Sequence, residues 1–419
     1  MNQYSGFLGI LVVIGLSVLF SKDRKAIKWQ PIFMGLGLMV IFAIAILGIP
    51  SMGVPGVFRP VFTFMNVMVS SLVDFTNEGS KFLFGPLADI REPWGFVFAF
   101  RALPTIVFFS AIMSGLYYLG VLQKIVKFFA IIMQKTMKTS GAETLSTSAN
   151  IFVGQTEAPL LVKPYLPKMT DSEIFCVMVG GMATIAAGVE GAYVGMLKDR
   201  IPDIAGHLIT SSFMGAVAAL VISKIIFPEK EIPLTSGQMD LPPDEEQLDS
   251  NVLESVSRGA SEGIALAMNV GAMLVVFISL IAMFDAGLGK VGSLLNFSEP
   301  LSFSLIAGKI LQPMAWLIGV PWEEAARIGS LLGKKIILNE FVAYLGLAEM
   351  GSQLSDRTMI IASYALCGFA NISSIGIQIG GIGVIAGKNK ATIAKLGLLA
   401  VLAGNLACFL CACIAGLLY

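Results

Sequence analysis

Apolar residues in this chain come in runs of about 20, long enough at ~1.5 Å per residue to cross the ~30 Å hydrocarbon core of a bilayer. The runs predict eight spanning helices, over roughly 4–21, 31–49, 95–121, 172–196, 203–227, 259–286, 357–386 and 391–418. The first loop, SKDRKAIK, is strongly basic and is expected on the cytoplasmic side, with residue 1 outside; KNKATIAK before the last span is basic and inside as well. The run 7–20 has the length of a secretory signal core. It lacks Lys or Arg before it and a small-residue cleavage site before Ser21-Lys22, so it reads as a retained helix.

Other stretches are half-apolar. Residues 55–90 predict an amphipathic interfacial helix and a loop on the outer side. Lys124, Lys127, Lys135 and Lys138, interleaved with Ile, Phe and Met, predict a basic amphipathic helix at the inner surface. A short amphipathic piece is expected near 300–320, and the third span carries Arg101 and Pro104, which a lipid-facing helix would avoid. Residues 228–258, containing LPPDEEQLDSN, form an acidic linker that splits the chain in two.

Two segments fit no simple span: GAETLSTSANIFVGQTEAPLLVKPYLPK at 141–168 and WEEAARIGSLLGKKIILNEFVAYLGLA at 322–348. Each has two short apolar arms around a polar centre with Glu157 or Glu340. Irregular backbone at membrane depth survives only inside protein or beside a cavity, so both are expected to be re-entrant helical hairpins. Lys163, Lys168, Lys334 and Lys335 bracket them and are expected to anchor their ends at an interface, with pairing to acids as the alternative.

Composition agrees. Hydrophobic residues make up 56% and charged ones 13%, with mean hydropathy +0.81. That excludes a soluble enzyme and a disordered protein. Balanced charge, 28 basic against 28 acidic residues, supplies no field for a nucleic acid. The class is an all-α polytopic membrane protein. The five cysteines lie in apolar runs without metal-site spacing, and the single histidine, His207, is expected at the surface beside a loop. No GxSxG, HExxH or Walker A signature occurs, so neither an enzyme nor an ATP-driven pump is indicated.

The halves echo each other. Gly181-Met182-Ala183-Thr184-Ile185 in the fourth span matches Gly368-Phe369-Ala370-Asn371-Ile372 in the seventh, and each follows a glutamate-bearing hairpin. With each hairpin counted as no crossing, the copies are inverted, an arrangement that places a binding site at the midplane.

Glu157 and Glu340 are the sharpest chemical signals, because a carboxylate at membrane depth is costly unless used. Gln155-Thr156-Glu157 offers an amide, a hydroxyl and a carboxylate to a heterocycle edge. Asn371 and Ser374, three apart, share a helix face and with Glu340 could hold neighbouring hydroxyls, as on a sugar. Asn150, carbonyls near Val153, and Thr184 and Ile185 in the Gly-rich break supply hard oxygens for a small cation. Glu190 in the apolar fourth span stays open between a place near the site, a pairing with a basic residue and a proton-coupling role.

GQTEAPL at 154–160, NEFVAY at 339–344 and GFANISS at 368–374 resemble the signature segments of the bacterial concentrative nucleoside transporters. RKAI at 24–27, FAFR at 98–101, NVGAML at 269–274 and IGVPW at 318–322 extend the resemblance over nearly the whole chain. It implies a homotrimer in the cytoplasmic membrane, working as an elevator. Scaffold helices 1–3 would lie in 1–121 and scaffold span 6 in 259–287; the moving transport domain would comprise 122–227 and 288–419. It implies a nucleobase held by Gln155, Thr156 and Glu157 between Val189 and Leu266, ribose hydroxyls held by Glu340, Asn371 and Ser374, and Phe369 in the lining. It implies sodium as coupling ion at Asn150, Val153, Thr184 and Ile185, and no other cofactor. Thr184 stands where relatives usually have Ser and keeps the hydroxyl, whereas Glu190 replaces an apolar residue. The expected function is sodium-driven nucleoside symport, with proton-coupled symport as the alternative. An intramembrane enzyme acting on a nucleotide-lipid is the different-class rival, and it lacks the metal or nucleophile cluster it would need.

Overall fold

The structure is a computed structural model and describes residues 3–89, 92, 97–237, 249–295 and 300–419. Most of the LPPDEEQLDSN stretch lies outside the described residues, as does the loop just before the third span.

All regular structure among the described residues is helical. In chain order the helices are α1 (Gln3–Leu19), α2 (Trp29–Leu47), α3 (Arg59–Phe84), α4 (Phe98–Tyr118), α5 (Val121–Met137), α6 (Gly141–Ala149), α7 (Asp171–Ala183) and α8 (Ala187–Leu197). They continue as α9 (Ile204–Ile226), α10 (Val252–Leu294), α11 (Phe303–Leu317), α12 (Trp322–Ile337), α13 (Glu340–Met350), α14 (Asp356–Leu366), α15 (Ile372–Ile385) and α16 (Lys390–Leu418). Six of the described helical segments are long and apolar enough to cross a membrane: α2, α4, the pair α7–α8, α9, α10 and α16. Helices α11 and α12 fold back on each other with a bend of 117°, and would add one more if counted as one broken span.

Three elements differ from the sequence expectation. Helix α10 begins at Val252, so the last residues assigned to the linker form its first turns; Asn251 caps it, its side chain accepting from Glu254 N at 2.9 Å. At 43 residues it is about 65 Å long, twice a bilayer core. The second arm of 141–168 is two 3₁₀ turns, Ala158–Val162 and Leu166–Lys168, not an α-helix. Pro159, Pro164 and Pro167 remove the amide donors an α-helix there would require. The segment expected as the seventh span is broken at Cys367–Asn371; the one expected as the fourth is broken at Thr184–Ala186, at the Gly-rich break read there from sequence.

Burial sorts the helices into layers. Helix α9 is buried along its length except at Ile209, and most of α7, α8 and α16 is buried too. Helix α10 is mostly exposed, with Val275, Met283 and Phe284 each more than 60% open. It leans on α4 through Gly259 and Gly263: a Cβ on Gly259 would come within 2.7 Å of Ser110 O, and one on Gly263 within 2.8 Å of Val107 Cα. Small residues spaced four apart let two backbones approach this closely in a bilayer.

Contacts define two ends. Lys22 N donates to Ile226 O at 2.8 Å and Lys230 pairs with Asp23 at 2.6 Å, so the end of α9 lies at the basic first loop. Asn389 donates to Leu166 O and Met169 O, and Thr392 to Asp171, which brings the close of the first hairpin segment and the start of α7 to the basic stretch before α16. At the far end Lys198 meets Asp74, and Asn66 bridges Pro202 O and Gly206 N. There Gly351 lies against Arg200, and Arg327 donates to Gln353 O. The pairs α7–α8 and α14–α15 therefore run in opposite directions, and the segments 141–168 and 322–348 are tied down at opposite ends.

The bases are tied in matching ways. Ser140, the cap of α6, donates to Glu173 of α7 at 2.5 Å, and Ser355, the cap of α14, donates to Glu324 of α12 at 3.1 Å. At the first base Lys224 reaches from α9 to Glu143 at 2.7 Å and to Ser172 at 2.9 Å.

Candidate functional site

The two helix breaks meet. Phe369 N donates to Thr184 O at 3.3 Å, and a Cβ on Gly368 would lie 2.8 Å from Met182 O. Gly368 has φ +154, in the region that glycine occupies without strain, so this crossing depends on it. Helix α16 packs over the crossing: a Cβ on Gly404 would be 2.8 Å from Met182 Cβ and 3.0 Å from Ala370 Cβ. Thus the two copies of the GxA[TN]I pattern touch at the centre of the molecule. Unwinding there leaves peptide groups without helical partners, which polar side chains and ligands can satisfy.

Around this crossing runs a continuous polar chain. Tyr193 of α8 donates to Glu340 Oε1 at 3.0 Å, and Asn371 Nδ2 donates to Glu340 Oε2 at 3.0 Å. Asn371 caps α15, its Oδ1 accepting from Ser374 N at 2.9 Å and from Ser373 Oγ at 2.7 Å. Gln155 Nε2 donates to Ser374 Oγ at 3.3 Å, and Gln378 Nε2 donates to Gln155 Oε1 at 3.1 Å and to Met178 O at 2.9 Å. Every member except Ser373 is at least nine-tenths buried. The pairing is crossed: α8, from the first half, holds Glu340 of the second hairpin segment, and α15, from the second half, holds Gln155 of the first.

Of the residues named from sequence, Gln155, Glu340, Asn371 and Ser374 are therefore joined in one network. Thr156 is half-buried against α15, its methyl 2.4 Å from where a Cβ on Gly381 would stand. Val189 is buried and Phe369 half-buried beside the crossing. Glu157 is exposed at the turn, folded back over Gly154, and lies outside the network. Leu266, on α10, is 37% exposed and also lies outside it. Tyr193 and Gln378 are members that the sequence reading missed. Gln378 had a signal: an amide inside an apolar helix, four residues after Ser374 and so on its face. Tyr193 had only its place in the same helix as Val189.

Of the cation candidates, Thr184 lies at the crossing itself, its carbonyl accepting from Phe369 N. Asn150 is buried; its Nδ2 donates to Ser146 O at 3.1 Å, while its Oδ1 finds no hydrogen-bond donor among the described residues. An orphaned buried acceptor is costly, and a cation relieves it. Ala187 N donates to Phe152 O at 3.2 Å, which holds the turn containing Val153 against the start of α8. Thr184 Oγ1 donates to Gly180 O at 2.9 Å, leaving its lone pairs free to ligate, and Ile185 lies in the non-helical break beside it. The donor set is all neutral oxygen, suited to a hard monovalent ion.

Two expectations are corrected. His207 is 2% exposed, not a surface residue; its Nδ1 lies 3.1 Å from the Tyr364 hydroxyl, and the rings of Phe62 and Tyr419 enclose it. It sits in the first turn of α9, the most buried helix, so the adjacent loop does not expose it. Lys335 is fully buried and its Nζ donates to Ala365 O at 2.9 Å, so it caps a carbonyl at the end of α14 rather than anchoring at an interface. Glu190 is 5% exposed, with Oε1 unpaired among the described residues and no ion pair.

Two broken helices crossing at a buried polar site are the arrangement in which many secondary transporters hold their substrate. Comparison makes this specific. The family of Na+ dependent nucleoside transporters matches with its N-terminal part over residues 8–87 and its C-terminal part over 207–416, and a nucleoside recognition gate matches 99–200. A transporter of Haemophilus influenzae, described as uncharacterized, is 43% identical over all of this chain and 98% of its own length. The rat sodium/nucleoside cotransporter 1 is 38% identical over all of this chain, which spans 64% of that longer protein. Among solved structures, CNTnw in an inward-facing substrate-bound state is 40% identical, with a TM-score of 0.89 over 100% of this chain and 98% of that one. The chain belongs to the Na+ dependent nucleoside transporter family, a family of transporters and not of enzymes.

Proposed function

We propose that this protein imports nucleosides across the cytoplasmic membrane as a sodium-driven symporter. The observation that carries the reading is the buried polar chain from Tyr193 through Glu340, Asn371 and Ser374 to Gln155, with the unpaired Asn150 oxygen just before the turn that Ala187 N of α8 holds through Phe152 O. In this reading Glu340, Asn371 and Ser374 bind the ribose hydroxyls, and Gln155, Thr156 and Glu157 meet the base, with Val189, Leu266 and Phe369 as apolar walls. Asn150, Thr184 and the carbonyls of Val153 and Ile185 hold the sodium ion. Sodium there stiffens the turn that also presents Gln155, so the two ligands favour each other's binding reciprocally.

The segments 141–168 and 322–348 act as re-entrant hairpins, and the opposite directions of α7–α8 and α14–α15 support an inverted repeat. We assign α1–α4 and α10 to a scaffold and the rest to a transport domain that moves as an elevator. The apolar, exposed face of α10 suits the centre of a homotrimer. Uptake of labelled uridine and adenosine into proteoliposomes, with sodium replaced by choline at fixed pH, tests the function. Uptake lost without sodium supports it. Uptake that instead follows a pH gradient gives the coupling to protons and turns attention to Glu190; no uptake under either gradient rejects the substrate class.

A further inference from the structure

Gln378 takes no part in the ligand contacts assigned above, yet it is fully buried in the site's polar chain. Its amide has one nitrogen and one oxygen of nearly equal size, so its orientation is fixed only by its partners. One partner, Met178 O, is a backbone carbonyl and can only accept, at 2.9 Å. The atom facing it must be Nε2. The same nitrogen lies 3.1 Å from Gln155, so the Gln155 atom it faces must be an acceptor, Oε1. That leaves the Gln155 NH₂ turned to Ser374 Oγ at 3.3 Å, with its second hydrogen free. A rigid helix carbonyl thus dictates, through two amides in series, which end of Gln155 faces the ligand.

We propose that Gln378 is a specificity-determining positioning residue, which locks the Gln155 amide so that it presents a hydrogen-bond donor to the nucleobase edge. The proposal rests on the reading that Gln155 contacts the base. Close packing reinforces the lock. A Cβ on Gly181 would stand 2.7 Å from Gln155 Cβ and 3.2 Å from Gln378 Nε2, so α7 presses on both side chains and only glycine fits beneath them. Without the Gln378 donor, Gln155 Oε1 has no fixed partner and the amide turns to suit either kind of edge.

Uridine and cytidine are the probes. They have the same size and the same sugar, but donor and acceptor are exchanged at ring positions 3 and 4. The wild type should discriminate between them in KM, and Gln378→Met, similar in volume but without a donor, should move the KM ratio toward one by about three- to tenfold. A merely structural role would lower the rate for both nucleosides and leave the ratio unchanged, and that result overturns the proposal, as does a wild type that does not discriminate. Gln155→Ala separates the two layers of argument. If it leaves KM for both probes unchanged, the base-contact reading fails. If it raises KM while Gln378→Met leaves the ratio fixed, only the lock fails.

Discussion

Glu340→Gln removes a charge and almost nothing else, which makes it the cleanest probe of the sugar side of the site. The carboxylate is buried and accepts two hydrogen bonds, from Tyr193 OH and Asn371 Nδ2, both at 3.0 Å. A glutamine in the same place keeps Asn371 with its amide oxygen and turns its NH₂ to the Tyr193 hydroxyl, which can accept. The fold should therefore survive with a change of no more than about 1 kcal/mol. Ligand binding should not survive so well. Hydrogen bonds to a charged group are worth about 1.5–3 kcal/mol and neutral ones about 0.5–1.5, a difference near 1–1.5 kcal/mol for each hydroxyl held. For two ribose hydroxyls the loss is about 2–3 kcal/mol, or roughly 30- to 150-fold in Kd. The assay is equilibrium binding of labelled uridine to purified protein, beside a thermal melt in the same detergent. A Kd within about twofold of wild type, with an unchanged melt, would remove Glu340 from the substrate site.

Other outcomes follow from the same geometry. Asn150→Ala deletes the unpaired acceptor and should raise the sodium concentration giving half-maximal uptake; an unchanged sodium titration would exclude Asn150 as a ligand. Gly181→Ala should cost about 1–3 kcal/mol in overpacking and raise the nucleoside KM, whereas Gly380→Ala, with nothing within 4 Å of the new methyl, should leave KM alone. Lys224→Met strands the buried Glu143 without its counter-charge and should destabilise by about 3–5 kcal/mol in a thermal melt; the double change with Glu143→Gln should recover much of that.

The helices were legible because a bilayer imposes one simple requirement, an apolar run of fixed length, and α2, α4, α9 and α16 meet it openly. Helix α10 was read short at its start because the polar first turns, held by the Asn251 cap, carry no hydrophobic signal, and at its end because glycines interrupt the apolar run at 287–292. Gln155, Glu340, Asn371 and Ser374 were legible as polar residues in apolar surroundings, where each demands a partner. What they partner was not. Tyr193 and Glu340 are 147 positions apart, and no local pattern records that distance. Lys335 and His207 were misplaced for a related reason: proximity to a loop in sequence says little about depth in the fold. Lys335 is buried because the break after α14 presents a bare carbonyl to it, and that break becomes visible only once α14 and α15 are seen as separate helices.

The crossed pairing also bears on how the chain is made. Gln155 waits for Gln378, 223 positions later, and Tyr193 for Glu340. At about 5–20 residues per second, the first hairpin segment exists for roughly 10–45 s before its partner helix has been synthesised. During that interval Gln155 has no amide to bond, although its segment already stands among newly inserted apolar helices. Neither half can close its own polar turn, so a ribosome stalled between Ser250 and Leu338 would release a chain with this turn unsatisfied, open to quality-control proteases. Two separately translated halves would have to find each other in the membrane before either could settle.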